Sequence, residues 1–167
     1  MERTLVLCKP DAVQRGLVGQ ILARFEAKGL KLVGLKLRKF PVATIKKHYE
    51  VHKARPFYKN LVEFMTSGPV VAVALEGKDA IETTRNVMGA TNAAKAAPGT
   101  IRGDLGMSFS NNLVHGSDGK ATAKTELKLF FDGKDELVNW TPTMTTWVYS
   151  SEELPAPKAK AKRKTKR

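Results

Sequence analysis

Apolar residues recur along this chain in two rhythms, one of two residues and one of three to four. Leu5-Val6-Leu7-Cys8 follows Thr4 as an unbroken apolar run, and Lys9-Pro10-Asp11 closes it. This predicts a buried strand, because proline cannot donate to a ladder and Asp favours a turn or cap. Over 17–28, Leu17, Ile21, Leu22 and Phe25 share one helical face, with Gly29 as the stop. Over 30–40, Leu30, Leu32, Leu35 and Leu37 alternate with Lys and Arg, and the alternation slips at Val33-Gly34. That predicts a half-buried strand with a bulge at Gly34. Pro41 to Phe64 reads as a hairpin of short helices, and Gly68-Pro69 breaks it. Val70 to Leu75 is apolar on both faces, which predicts a central strand. Over 79–88 a short helix turns Ala80, Ile81, Thr84 and Val87 inward. Gly89 to Gly106 has little periodicity and predicts a long loop, a feature that in compact domains is functional or disordered. Leu113 and Val114 end a last buried strand. Gly116-Ser117-Asp118 then turns into a helix over 120–131, with Ser and Asp favoured as N-caps. The remainder through Trp147-Val148-Tyr149 reads as irregular.

Strand, helix, strand, helices, strand, helix, loop, strand, helix is the order of an α+β, ferredoxin-like βαββαβ domain. Its four-stranded antiparallel sheet is expected to be covered on one face. The domain spans 1–150, and 151–167 reads as a disordered basic tail. Seven of the thirteen net positive charges lie beyond Ala156, with no acid among them. Such a tail either solubilises the chain or binds nucleic acid or an anionic surface non-specifically. The single cysteine, Cys8, excludes an internal disulfide and leaves no zinc pattern. The N-terminus offers neither a signal peptide nor a transmembrane segment. A cytoplasmic location is expected.

The candidate chemistry centres on His115. A neutral imidazole is a nucleophile near physiological pH, since its ordinary pKa is about 6.5. The bland alternative is a buried His tied to a carbonyl. Lys9, at a strand end, suits a phosphate-binding ammonium, or is simply a solvated lysine. His48 and His52 stand four apart, but the intervening Glu of a zincin helix and a third ligand are missing, which argues against a metal there. Gly116 to Ala121 is no P-loop: its glycines are too close and Ala121 offers no hydroxyl. No Rossmann fingerprint or nucleophile elbow occurs. What remains is one His, scattered Arg and Lys, small hydroxyl residues and aromatics, a set suited to an anionic substrate.

Asn112 to Asp118 resembles the active-site signature of nucleoside diphosphate kinases. Lys9 to Gly16, Arg55-Pro56-Phe57, Ser67 to Val70, Gly89 to Asn92 and Pro98 to Asp104 match the same family in order and spacing. The resemblance runs from about residue 3 to Tyr149. It implies ping-pong transfer of the γ-phosphate of ATP or another nucleoside triphosphate to a nucleoside diphosphate. By position, His115 would be the phosphorylated nucleophile, attacking through Nδ1. Glu126 would hold the other ring nitrogen and Ser117 would support Glu126; on residues alone Glu126 reads as a solvated helix residue. Lys9, Tyr49, Arg85, Thr91 and Arg102 match the phosphate-contacting or catalytic set, and Lys9 and Asn112 match the groups that bind sugar hydroxyls. Phe57 matches the aromatic on which the base stacks, a contact that accepts every base. The resemblance implies Mg2+ carried by the nucleotide phosphates, with Asp118 reaching it through water. It also implies a homohexamer, with a homotetramer as the alternative.

Four residues depart from the family pattern. Gly119 replaces a Ser and is expected to loosen the helix start. Ala93 replaces a Pro and removes a stiffener from the loop. Asn111 stands where Arg is common. Phe109 stands where Val is usual, which predicts a tighter, more aromatic base slot. The competing function is a basic ferredoxin-like nucleic-acid-binding module with a structural His. Such modules carry aromatics on the sheet face, whereas these strands carry Leu, Val and Ala, which favours the enzyme.

Overall fold

The computed structural model describes residues 1–154. The basic tail expected beyond them lies, from Pro155 on, outside the described residues. Strands β1 (Glu2–Cys8), β2 (Lys31–Arg38), β3 (Val70–Gly77) and β4 (Val114–Gly116) form one sheet in the order β2-β3-β1-β4. Every neighbouring pair is antiparallel. This is the expected α+β ferredoxin-like arrangement.

The helices are α1 (Pro10–Gln14), α2 (Val18–Ala27), α3 (Val42–His48), α4 (Tyr58–Thr66), α5 (Ala80–Met88), α6 (Ile101–Leu105), α7 (Lys120–Phe130) and α8 (Thr145–Val148). They cover both faces of the sheet, where the sequence suggested one. Val6, Cys8, Val71, Val73 and Leu75 pack with Ile21, Phe25 and Met88 from α2 and α5. The alternate residues Leu5, Leu7, Val70, Ala72 and Ala74 pack with Ile45, Val62, Met65, Leu127 and Phe130 from α3, α4 and α7. The physical reason is that residues 5–8 of β1 and 70–75 of β3 are apolar at every position, so each face needs its own layer out of water.

The long stretch 89–106 is less irregular than its composition suggested. Asn92 caps a 3-10 turn over Ala93–Lys95 by accepting from the Ala94 N–H. Thr100 caps α6 by accepting from the Gly103 N–H at 3.0 Å. Ile101, fully buried, anchors this one short helix to the core. With only Leu105 packing beside it on the same core, this is too little periodicity to read as a helix. At the other end, α8 puts one turn into the irregular segment, and Glu153 accepts from Lys78 Nζ and the Ser150 N–H in a turn past residue 150.

The bulge in β2 falls where the alternation slipped. Leu32 pairs with Leu75 and Gly34 with Ala74, so Val33 is the extra residue. Its carbonyl accepts from the Val138 N–H at 2.7 Å and ties down the segment after α7. A side chain at Gly34 would meet Leu137 Cδ2, Phe131 Cε1 and the Glu136 carbonyl at 2.8–3.0 Å. Gly34→Val is therefore expected to destabilise the fold by about 1–3 kcal/mol through overpacking. The denaturation midpoint at fixed protein concentration checks this, and an unchanged midpoint would contradict the packing described.

Candidate active site

His115 lies within β4, one residue further into the sheet than the sequence placed it, and pairs with Leu7 of the central strand β1. The chain reaches it through a tight reversal. The Val114 N–H donates to the Asn112 carbonyl at 2.8 Å, across Leu113 at φ +70°. A bulky residue rarely adopts that φ, and three-residue turns of this hand are strained. Two neighbours hold it: Asp11 Oδ2 accepts from the Leu113 N–H at 3.1 Å, and the Leu113 carbonyl accepts from the Lys9 N–H at 2.8 Å.

His115 Nε2 stands 3.0 Å from Glu126 Oε1, and the Ser117 hydroxyl donates to Glu126 Oε2. Glu126 projects from α7, so a strand and a helix supply the two partners. Ser117 does not cap α7, as its residue type suggested. That place belongs to Gly119, with no side-chain cap, while Ser117 is buried and bonded to β1 through the Leu5 backbone. Asp118 accepts from the Thr122 hydroxyl in the first turn of α7. Burial pushes the Glu126 carboxyl up, but hydrogen bonds from His115 and Ser117 outweigh it and leave it below its usual range. A carboxylate on Nε2 keeps the ring proton there and leaves Nδ1 with its lone pair. The His115 side chain is 24% exposed, so the ring is reachable from outside.

Two buried cations are bonded to the segment that leads into His115. Lys9 Nζ donates to Asn112 Oδ1 at 2.7 Å, one of its three donors. Burial, and then the nearby Arg102, lower the Lys9 pKa to about 8, with Asp11 opposing. Arg102 donates to the carbonyls of Asn112, Gly89 and Val114 at 3.2, 2.8 and 2.7 Å. Burial first, then Arg85, lower its pKa to about 10. In this structure Arg102 braces the backbone on both sides of Leu113. Asn112 Nδ2 donates to the Thr91 and Phe109 carbonyls, so its free capacity is on Oδ1. Arg85 and Thr91 are exposed, and Arg85 makes one long contact, to the Gly116 carbonyl at 3.5 Å. Phe57 and Phe109 are 51% and 64% exposed. Tyr49 is buried with its ring 6.1 Å from that of His115, and its hydroxyl has no partner.

One neighbour of the site was passed over in the sequence. His48 ends α3 and packs edge-on against His115, with ring centroids 4.5 Å apart. His52 lies past the break at Tyr49, in a 3-10 turn, and faces Phe57 and Tyr49 instead. The helix ends between them, so spacing of four no longer means a shared face. Burial, and then His115, lower the His48 pKa to about 3, so its ring is neutral.

Together these features define an α+β enzyme fold with a carboxylate-backed histidine next to buried cations. A family model described as nucleoside diphosphate kinase matches residues 2–136. A nucleoside diphosphate kinase of Trichodesmium erythraeum is 54% identical over 148 residues, 89% of this chain and 99% of that protein. The Microcystis aeruginosa relative of the same name is 55% identical with the same coverage. The solved structure of a halophilic nucleoside diphosphate kinase from Halobacterium salinarum, in complex with CDP, superposes with a TM-score of 0.86 at 50% identity. It covers 89% of this chain and 98% of that one. A family member from Babesia bovis gives 0.86 at 44% identity, covering 89% of this chain and all of the other. The chain belongs to the nucleoside diphosphate kinase family, and it is an enzyme, a phosphotransferase.

The buried Lys9 generates a pH signature. Only a charged Lys9 ammonium could hold a phosphate, and it loses its proton as the pH rises through about 8. The kcat/KM for a nucleoside triphosphate, which reports the free enzyme, is expected to fall above about pH 8. Lys9→Arg should carry that falling limb upward, since Arg does not deprotonate. A pH–rate profile with no change in the limb would remove Lys9 from this role.

Proposed function

We propose that the chain transfers the terminal phosphate of ATP or another nucleoside triphosphate to a nucleoside diphosphate in two half-reactions, through phosphohistidine on His115. The single observation that carries this is the Glu126 carboxylate on Nε2, which leaves Nδ1 as the nucleophile. In the first half-reaction the Nδ1 lone pair attacks the γ-phosphorus. The bond to the bridging oxygen breaks, and the diphosphate leaves with that electron pair. Glu126 offsets the positive charge that develops on the ring. The second half-reaction runs the same chemistry backward onto the terminal phosphate oxygen of an acceptor.

Lys9 keeps donors for the transferring phosphoryl oxygens, and Arg85, exposed and thinly bonded, can turn its fork toward them. Thr91 and Tyr49 supply hydroxyls. Arg102 acts where it stands, fixing the reversal at Leu113 and adding positive potential. Phe57 and Phe109 present exposed faces for a base, and Asn112 Oδ1 and Lys9 suit sugar hydroxyls. Asp118 fits a water-mediated contact to Mg2+, because it is exposed and Thr122, Arg85 and His115 hold its carboxyl ionised. Mg2+ bound to the phosphates would neutralise their charge.

Self-association belongs to the same proposal, as a homohexamer with a homotetramer as the alternative. Strand β2 is a sheet edge, and Leu35 and Leu37 on it are 52% and 65% exposed, while Trp147 is 83% exposed. Open apolar edges of this kind are ordinarily covered. The double variant Leu35→Glu/Leu37→Glu is expected to lower the solution mass measured by light scattering. An undiminished mass would place the interface elsewhere.

Incubation with γ-labelled triphosphate tests the chemistry. An acid-labile, alkali-stable label is expected on the wild type and none on His115→Ala. Glu126→Gln should slow labelling on the order of 10²-fold. A label that persists in His115→Ala would refute the assignment.

A further inference from the structure

His48 is left unexplained by that mechanism. Its side chain is 1% exposed, yet neither ring nitrogen has a hydrogen-bond partner. Buried polar side chains are nearly always paired. Its Nδ1 lies 3.6 Å from Glu126 Oε1, the same oxygen that His115 Nε2 approaches at 3.0 Å. One nitrogen from each ring and one Glu126 carboxylate oxygen all fall within 4.8 Å of one another. Two imidazoles and a carboxylate are a donor set that Zn2+ takes readily. Ligands about 2.0–2.2 Å from a tetrahedral ion stand roughly 3.3–3.6 Å apart, so only small side-chain movements separate this cluster from a coordination sphere.

We infer that His48, His115 and Glu126 form an inhibitory site for Zn2+ or a similar divalent transition metal, exclusive of phosphorylation at His115. The inhibitory half of this rests on the phosphohistidine reading above; the binding half does not. The consequence for the nucleophile follows from the tautomer. Zn2+ on Nε2 displaces the proton shared with Glu126. The neutral ring then carries that proton on Nδ1, and the lone pair needed for attack on phosphorus is gone. No proton is lost overall; it changes nitrogen. The carboxylate that offset the ring's developing charge is spent on the metal as well. Mg2+ does not take this place, since it prefers oxygen ligands and retains its waters. The inhibition therefore persists with magnesium in excess.

The test uses the full chain, freed of metal by chelation, with Zn2+ titrated by calorimetry and Co2+ as the spectroscopic probe. The wild type is expected to bind one Zn2+ per chain and to give the visible bands of Co2+ in low coordination. His48→Gln should weaken Zn2+ at least tenfold. His48→Phe, which keeps a ring in the packing, serves if the first variant fails to fold. His52→Gln is the control for the one remaining histidine and should bind as the wild type does. Wild type loaded with one Zn2+, desalted and given labelled triphosphate with Mg2+, should form phosphohistidine at least tenfold more slowly, with recovery after chelation. The same loading of His48→Gln should have no effect on its own labelling rate. Equal Zn2+ affinity in wild type and both His48 variants, or unslowed labelling of the loaded wild type, overturns the inference. Metal-free wild type that takes no label refutes the phosphohistidine reading instead, and the titration alone then decides whether the site exists.

Discussion

One carboxylate organises this molecule. Glu126 receives His115 on one oxygen and Ser117 on the other, and Ser117 is itself bonded to the backbone of the central strand. The helix α7, the strand β4 and the strand β1 are thus tied together at a single charged group. The group is mostly buried, and its charge survives only because both oxygens are hydrogen-bonded. Loss of either bond would leave an underpaired charge beside the neutral ring of His48, or a protonated acid with a weaker hold on the His115 ring. The orientation of His115 is therefore a property of the packed domain and not of the strand that carries it.

The second constraint is positive charge held out of water. Lys9 and Arg102 are almost completely buried, and their pKa values fall because burial, and then a neighbouring arginine (Arg102 for Lys9, Arg85 for Arg102), disfavour both charges. Asp11, the acid that opposes the shift at Lys9, accepts from the Leu113 N–H through Oδ2. An anion entering beside these groups removes an electrostatic cost the fold already carries. That is preorganisation: the cost is met on folding, not at the moment of phosphate transfer. Arg102 also shows how one side chain serves two ends. Its three backbone contacts hold the strained reversal at Leu113, and its charge stays at the site.

Much of this was legible in the residues. Unbroken apolar runs in β1 and β3 marked the middle of a sheet, and the slip at Val33-Gly34 marked the bulge, since each pattern follows from which side of a strand meets water. The His115 segment and Lys9 stood out by their places at strand ends, whereas Arg85 and Arg102 were picked out by the family resemblance. Two things were less legible. The second covering layer was under-read, although apolar positions on both faces of a strand demand one. Helix α6 was hidden because its stability comes from the Thr100 cap and from Ile101 in a core built by distant segments.

Sequence by itself determined the order of the elements, the central strands and the list of groups able to do phosphate chemistry, because these depend on local pattern and side-chain type. Tertiary structure decided the rest. Spacing of four suggested that His48 and His52 belonged together; the end of α3 separates them and sets His48 against His115 and Glu126. Ser117 had the identity of a helix cap; pairing with β1 turned it inward to a carboxylate instead. A side chain's chemistry is written in its residue, but its partner is chosen by contacts between segments remote in the chain, and only the folded packing brings those together.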